Sequence, residues 1–168
     1  LESGKMDYNM EQVPFESLCR TVLDEFKHAA EEKKITLKIT TSELLPEVYC
    51  DAYKISQVVR NLMSNAIKFT PIGKTISVVM SEETISDSIP AVSFYVQDEG
   101  VGIPETELDD VFDKFYQSSL TKSNAGGTGL GLAICREIVR AHKGNIWATN
   151  NSSSGATFKF RLPLNQMI

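Results

Sequence analysis

Apolar residues recur at intervals of three and four through long stretches of this chain and alternate through several short ones. Ile55, Val58, Val59, Leu62, Met63, Ala66 and Ile67 keep the spacing of one buried helix face. Wound at about 100° per residue, the same segment gathers Gln57, Asn61, Asn65 and Lys68 on a narrow polar stripe along the rim of that face. Asp51 is placed to cap this helix, and Thr70-Pro71-Ile72-Gly73 ends it and turns the chain. Upstream, Phe15, Leu18, Cys19, Val22, Leu23, Phe26, Ala29 and Ala30 predict one helix that runs to the charged Glu31-Glu32-Lys33-Lys34. Residues 35–40 alternate as a strand, Pro46 breaks the chain, and Val48-Tyr49-Cys50 reads as a short strand.

Beyond the central helix, residues 75–81 and 92–97 alternate as two strands joined through the polar residues 82–88. After Asp98 the texture changes to Glu99-Gly100-Val101-Gly102-Ile103-Pro104, a short acidic helical piece, and Val111-Phe112-Asp113-Lys114-Phe115-Tyr116. Residues 117–125 are small and polar without periodicity. Gly126-Gly127-Thr128-Gly129-Leu130-Gly131-Leu132 then opens a helix with Ile134, Cys135, Ile138 and Val139 inward, which Gly144 stops as a left-handed cap. Residues 145–149 and 156–162 form a last hairpin about the turn at 150–155. The elements predict an α+β two-layer sandwich, a mixed and mostly antiparallel sheet with helices over one face.

Composition narrows the class. With 168 residues, 42% of them hydrophobic, the chain fits one globular domain with a sizeable core. Its net charge of -5 argues against a nucleic-acid footprint, which needs clustered basic residues. Cys19, Cys50 and Cys135 are an odd, widely spaced set without a CxxC, so a reducing, cytoplasmic setting with thiols in the core is expected. No run of about 18 apolar residues is present for a membrane span, although a longer parent can still carry an anchor. Residues 1–12 have no core of their own and read as the end of something upstream with an incoming strand.

Glycines that lead into a helix let backbone approach phosphate, and the first helical turn points free N–H groups at the anion. Residues 126–131 have that form. They lack the Lys of a P-loop and follow a polar loop instead of the buried strand of a Rossmann turn.

Four motifs stand in order: the helix with Asn61, Asn65 and Lys68; Asp98-x-Gly100-x-Gly102; Phe112-x-x-Phe115; and Gly127-x-Gly129-x-Gly131. Together they resemble the ATP-binding catalytic domain of sensor histidine kinases, one branch of the ATPases that include gyrase, heat-shock chaperones and mismatch-repair proteins. The resemblance covers about residues 13–164 and leaves 165–168 as a tail. It implies that residues 1–12 end a preceding dimerisation helix and its linker, and that Asn65 offers a carboxamide oxygen to Mg²⁺. It further implies that Asn61 and Lys68 orient and neutralise the phosphates of ATP, and that Asp98 accepts from the adenine amino group beside Gly100 and Gly102. Gly127, Thr128, Gly129, Leu130 and Gly131 then frame the triphosphate, and residues 117–125 form a lid. Lys114 stands where the family usually has Arg in its phenylalanine box, and lysine cannot match a bidentate phosphate contact.

The implied reaction transfers the γ-phosphoryl group to a histidine on a separate dimerisation domain, within a homodimeric kinase that serves a response regulator. His28 lacks the flanking pattern of the acceptor, and His142 lies in the last turn before Gly144, where it suits packing and a helix-dipole contact; both read as structural or surface residues. Two alternatives keep the fold: an ATP hydrolase, or an anti-sigma-type serine kinase or binding module. Hydrolases of this group carry a glutamate one turn before the metal-binding asparagine as general base. That position is Asn61 here, and an amide cannot take the proton.

Overall fold

The computed structural model describes residues 7–42, 44–114, 116 and 130–165. In chain order the elements are β1 (Glu11–Pro14), α1 (Phe15–Asp24), α2 (Lys27–Glu32), β2 (Thr36–Thr41), β3 (Glu47–Cys50), α3 (Ala52–Phe69), β4 (Thr75–Ile85), β5 (Ile89–Gln97), a 3-10 turn at Glu105–Glu107, α4 (Gly131–Ala141), β6 (Asn145–Asn150) and β7 (Ala156–Pro163). Five strands form one sheet in the order β2-β4-β5-β7-β6, with β2 parallel to β4 and the other pairs antiparallel. β1 and β3 form a separate antiparallel pair.

Alternation decides which sheet face is covered. Ile76, Val78 and Met80 on β4, Val92, Phe94 and Val96 on β5, and Phe158, Phe160 and Leu162 on β7 are buried. They meet the apolar faces of α1, α3 and α4, including Leu23, Ile55, Leu62, Met63 and Ile138. Each such side chain taken fully from water contributes about 1.5–3 kcal/mol. Phe160 stacks on Phe94 at 5.5 Å and meets Phe15 edge-on at 6.3 Å, which joins sheet to α1. On the opposite face, Trp147 of β6 lies under Lys159 and Arg161, and both cations pair with Glu83.

Three features depart from the sequence reading. The first helix is two: backbone turns at Glu25 and Phe26 separate α1 from α2. The break leaves Ala30 in the core and sets Lys33 so that its Nζ donates to the Ile67 carbonyl, 2.7 Å away at the end of α3. The first hairpin is longer, because β4 and β5 stay paired to Ile85 and Ile89, with Ser86 and Asp87 in left-handed conformation at the tip. The incoming strand is where the sequence reading expected one: Glu11 and Gln12 open β1, paired with Cys50 and Tyr49. After α4 the left-handed residue is Lys143, with φ 62°, and not Gly144. Gly144 is needed for another reason: a Cβ there would collide with the Arg161 carbonyl oxygen of β7.

The expected cap is present and does more than cap. Asp51 Oδ1 accepts from the Lys54 N–H at 3.0 Å, while Oδ2 accepts from the Asn9 N–H at 2.8 Å. The Asp51 N–H donates to His142 Nε2 at 3.0 Å, so Nδ1 carries the ring hydrogen and donates to the Ile138 carbonyl at 2.7 Å. Burial lowers the His142 pKa and keeps the ring neutral. The ring thus packs and hydrogen-bonds at the helix end as a neutral group. Tyr8 meets it edge-on at 5.4 Å. Cys19, Cys50 and Cys135 are free and buried. Among the described residues, no helix is long and apolar enough to cross a membrane.

Candidate functional site

The site is assembled where α3, the turn after β5 and the start of α4 converge. Asn61 and Asn65 are half-buried on α3 and Lys68 is exposed one turn on, as the polar stripe requires. Lys68 Nζ lies 5.3 Å from the centre of the Phe69 ring. Two contacts tie the stripe to its neighbours. Asn61 Nδ2 donates to the Gly131 carbonyl at 3.3 Å, which joins α3 to the first residue of α4. At the other end of the stripe, a Cβ on Gly100 would stand 2.6 Å from the Phe69 carbonyl oxygen and 3.2 Å from Asp98 Oδ1. The close approach of the end of α3 by itself requires glycine at position 100.

Asp98 is the buried carboxylate of the site, 6% exposed. Its Oδ1 accepts from the N–H groups of Gly100 at 2.9 Å and Ala156 at 3.0 Å. Burial raises its pKa, against the smaller lowering effect of those two N–H groups. Oδ2, the second carboxylate oxygen, is thus without a hydrogen-bond donor among the described residues. Gly102 takes φ +79°, a left-handed turn that glycine adopts without strain.

The sequence reading missed what holds this turn in place. Asn150 clamps Ile103 from both sides: its Oδ1 accepts from the Ile103 N–H at 2.9 Å and its Nδ2 donates to the Ile103 carbonyl at 2.6 Å. Asn151 Nδ2 donates to the Asp98 carbonyl at 2.8 Å. Gly155, at φ +86°, lies so close that a Cβ would meet the Asp98 carbonyl oxygen. Glu99 points the other way and accepts from the Thr75 N–H at 2.6 Å, at the start of β4. The residues of the β6–β7 turn thus position the carboxylate.

Phe112 is buried against Phe158, edge-on at 6.2 Å, and anchors the segment that carries the exposed Lys114. Arg136 of α4 reaches the neighbouring Asp113 at 3.2 Å. Leu130 is the half-buried N-cap residue of α4, and Gly131 leaves 3.9 Å between an added Cβ and the Asn61 carboxamide. Gly127, Thr128, Gly129, Phe115 and the segment 117–125 lie outside the described residues. Among the described residues, no group of three or more His, Cys, Asp or Glu side chains is gathered for a metal ion. Mg²⁺ fits the oxygen of a carboxamide together with a nucleotide's phosphates, since it prefers oxygen ligands and few protein groups. A groove of about 470 Å³ between α1 and the outer side of α3, lined by Leu18, Tyr53 and Arg60 among others, lies on a different face from Asn61 and Asn65.

Comparison with known proteins agrees with this fold. Residues 50–166 match the family described as histidine kinase-, DNA gyrase B- and HSP90-like ATPase. The chain is 37% identical over 166 residues to hybrid signal transduction histidine kinase D of Dictyostelium discoideum, which covers 98% of this chain and 11% of that protein. It is 36% identical to the sensor histidine kinase WalK of Bacillus subtilis, across 96% of this chain and 26% of the relative. The chain therefore spans only about a tenth to a quarter of the length of these two relatives. Among solved structures, the nucleotide-free catalytic domain of the histidine kinase ThkA superposes with a TM-score of 0.78 at 28% identity, over 94% of this chain and 99% of that one. Full-length ShkA in complex with AMPPNP gives the same TM-score and identity, over 96% of this chain and 32% of its own. The chain therefore belongs to the histidine kinase-, DNA gyrase B- and HSP90-like ATPases, as an ATP-binding catalytic domain of the histidine kinase kind.

Proposed function

We propose that this domain binds Mg²⁺ and ATP between α3 and α4 and transfers the γ-phosphoryl group to a histidine on a separate dimerisation domain. The observation that carries the reading is the pair of links Asn61 to Gly131 and Phe69 to Gly100, which set the carboxamide stripe between a helix start and a buried carboxylate. Asp98 Oδ2 accepts from the adenine amino group. Lys68 and Lys114 neutralise phosphate, with Gly127, Thr128, Gly129, Leu130 and Gly131 as the backbone frame at the start of α4. Asn65 would hold Mg²⁺, which supplies charge neutralisation across the phosphates and fixes their geometry for in-line transfer. Asn61, one turn earlier, has no basic oxygen to take a proton from water, which favours transfer to a docked side chain over hydrolysis.

In this reading the parent protein is a homodimeric kinase whose acceptor domain precedes residue 13 and whose partner is the receiver domain of a response regulator. The domain works in the cytoplasm, whatever anchors the parent. Incubation with labelled ATP and Mg²⁺ tests it: the chain alone is expected to stay unlabelled, and a dimerisation domain added in trans to take the label. Label retained on His28 or His142 would overturn the assignment. His142 is wholly buried and fully hydrogen-bonded, while His28 is exposed beside Glu32.

A further inference from the structure

Asn61 touches α4 through more than the Gly131 carbonyl. Its Nδ2 also lies 3.6 Å from Cys135 Sγ, and that sulfur lies 3.9 Å from the Val58 carbonyl oxygen back on α3. Cys135 is fully buried, and burial pushes its thiol up to about 12, so it stays S–H. A neutral thiol donates one weak hydrogen bond and accepts another. The donors and acceptors form one directional chain: Asn61 Nδ2–H to Sγ, then S–H to the Val58 carbonyl. A carboxamide has two N–H hydrogens, about 120° apart in its plane, and the Gly131 carbonyl and the Cys135 sulfur account for both. Its oxygen then faces away from α4.

We propose that Cys135 is a positioning residue that, with the Gly131 carbonyl, locks the Asn61 carboxamide so that its oxygen faces the nucleotide. The chemical consequence differs from the role the sequence resemblance implies for Asn61. An oxygen presented to a triphosphate cannot donate to it and is repelled by it. Beside a magnesium–triphosphate it can instead serve the cation, as a ligand to the metal ion or as acceptor from a water on that ion. Asn61 therefore works on the metal side of the site beside Asn65, and Cys135 determines which end of Asn61 is offered. This rests on the reading that the stripe on α3 holds Mg²⁺ and ATP. Cys135 differs in this from Cys19 and Cys50, which are equally buried but contact no residue of the stripe in any described hydrogen bond.

The test uses the full 168-residue chain and titrates ATP in EDTA and then against increasing Mg²⁺, by calorimetry or a fluorescent ATP analogue. Cys135→Val adds about one methyl group of volume and removes both donor and acceptor; Cys135→Ser restores a donor and an acceptor. The valine variant is expected to raise the Mg²⁺ concentration for half-maximal enhancement of ATP binding about three- to tenfold, the size of one hydrogen bond. Metal-free ATP affinity should stay within about twofold of native, and serine should recover most of the Mg²⁺ response. A loss shared equally by metal-free and metal-bound ATP would mean a packing role alone and overturn the proposal, as would an unchanged Mg²⁺ response. If the valine variant does not fold, the side-chain amide protons of Asn61 in the native chain give the answer: slow exchange without nucleotide supports the lock, and solvent-like exchange refutes it. Asn65→Ala separates the two layers. Should it leave the Mg²⁺ response intact, the site reading itself fails; should it abolish the response while Cys135→Val does not, only the positioning role is lost.

Discussion

The backbone N–H of Ala156, at the start of β7, donates to Asp98 Oδ1 across 3.0 Å and, with the N–H of Gly100, occupies one oxygen of the carboxylate, while the other accepts no hydrogen bond among the described residues. The two oxygens have different tasks, and Asp98→Asn separates them. Asparagine keeps an oxygen for the two N–H groups and puts an NH₂ where the adenine amino group must donate. ATP affinity is expected to fall about tenfold or more, and the preference for ATP over GTP to shrink or reverse. Stability should move the other way. The folded-state pKa of Asp98 is raised, so its stabilising contribution is complete below the ordinary carboxylate range and is lost as pH rises through the folded value. At neutral pH the variant is expected to melt at or above the native temperature, and unchanged ATP affinity would remove Asp98 from base recognition.

His142 has the opposite sign. Its folded pKa is lowered, so its contribution is full above the unfolded value and is lost as pH falls from about 6.5 towards the folded value. Asp51 and Tyr8 are the titratable groups beside it, and Asp51 opposes the shift only in part. Urea midpoints should drop between about pH 7.5 and 5.5. His142→Gln, which can still accept from Asp51 and donate to Ile138, should flatten that slope.

Gly155 and Gly73 both take a left-handed φ, yet their alanine variants should differ. At Gly73 a Cβ meets nothing, and the strain of about 1–2 kcal/mol is the whole expected loss. At Gly155 the same Cβ runs into the Asp98 carbonyl oxygen and comes within 2.7 Å of Asp98 Oδ1. Gly155→Ala should therefore lose more stability and also weaken ATP binding several-fold, whereas Gly73→Ala should leave binding at the native level. Equal effects on nucleotide affinity would show that the β6–β7 turn does not position the carboxylate.

Leu62 and Asn65 stand three residues apart on α3 and face different ways. Leu62→Ala should cost about 2–5 kcal/mol through the cavity it leaves. Asn65→Ala, on the rim, should leave the denaturation midpoint close to native and abolish phosphoryl transfer; a native transfer rate in that variant would take the metal ligand elsewhere.

Periodicity made α3, α4 and the alternating strands readable from the sequence, because each repeats its pattern over several turns or pairs. Asp51 was readable as a cap because capping is local. The support of Asp98 was not: Asn151 and Ala156 reach it across 53 and 58 residues, and a polar turn of Asn, Ser and Gly gives no sign of what it packs against. The break between α1 and α2 carries no Gly or Pro, since tertiary packing of Phe26, Ala30 and Lys33 sets it. Gly144 looked like a cap from its place after a helix, yet only the approach of β7 explains it. The Asn61 to Cys135 contact joins two motifs whose spacing says nothing about their separation in space.

The double use of Asp51 bears on how short this domain can be cut. One oxygen closes the first turn of α3 and the other holds the backbone of Asn9, while Tyr8 covers the ring that Asp51 anchors at the far end of α4. A fragment begun at Val13, where the family resemblance starts, would strand that second oxygen, bare the imidazole and shorten β1 to two residues. The smallest unit expected to fold with native cooperativity therefore begins ahead of Tyr8. The ends it secures are the start of α3 and the end of α4, the same two helices that carry Asn61 and Gly131.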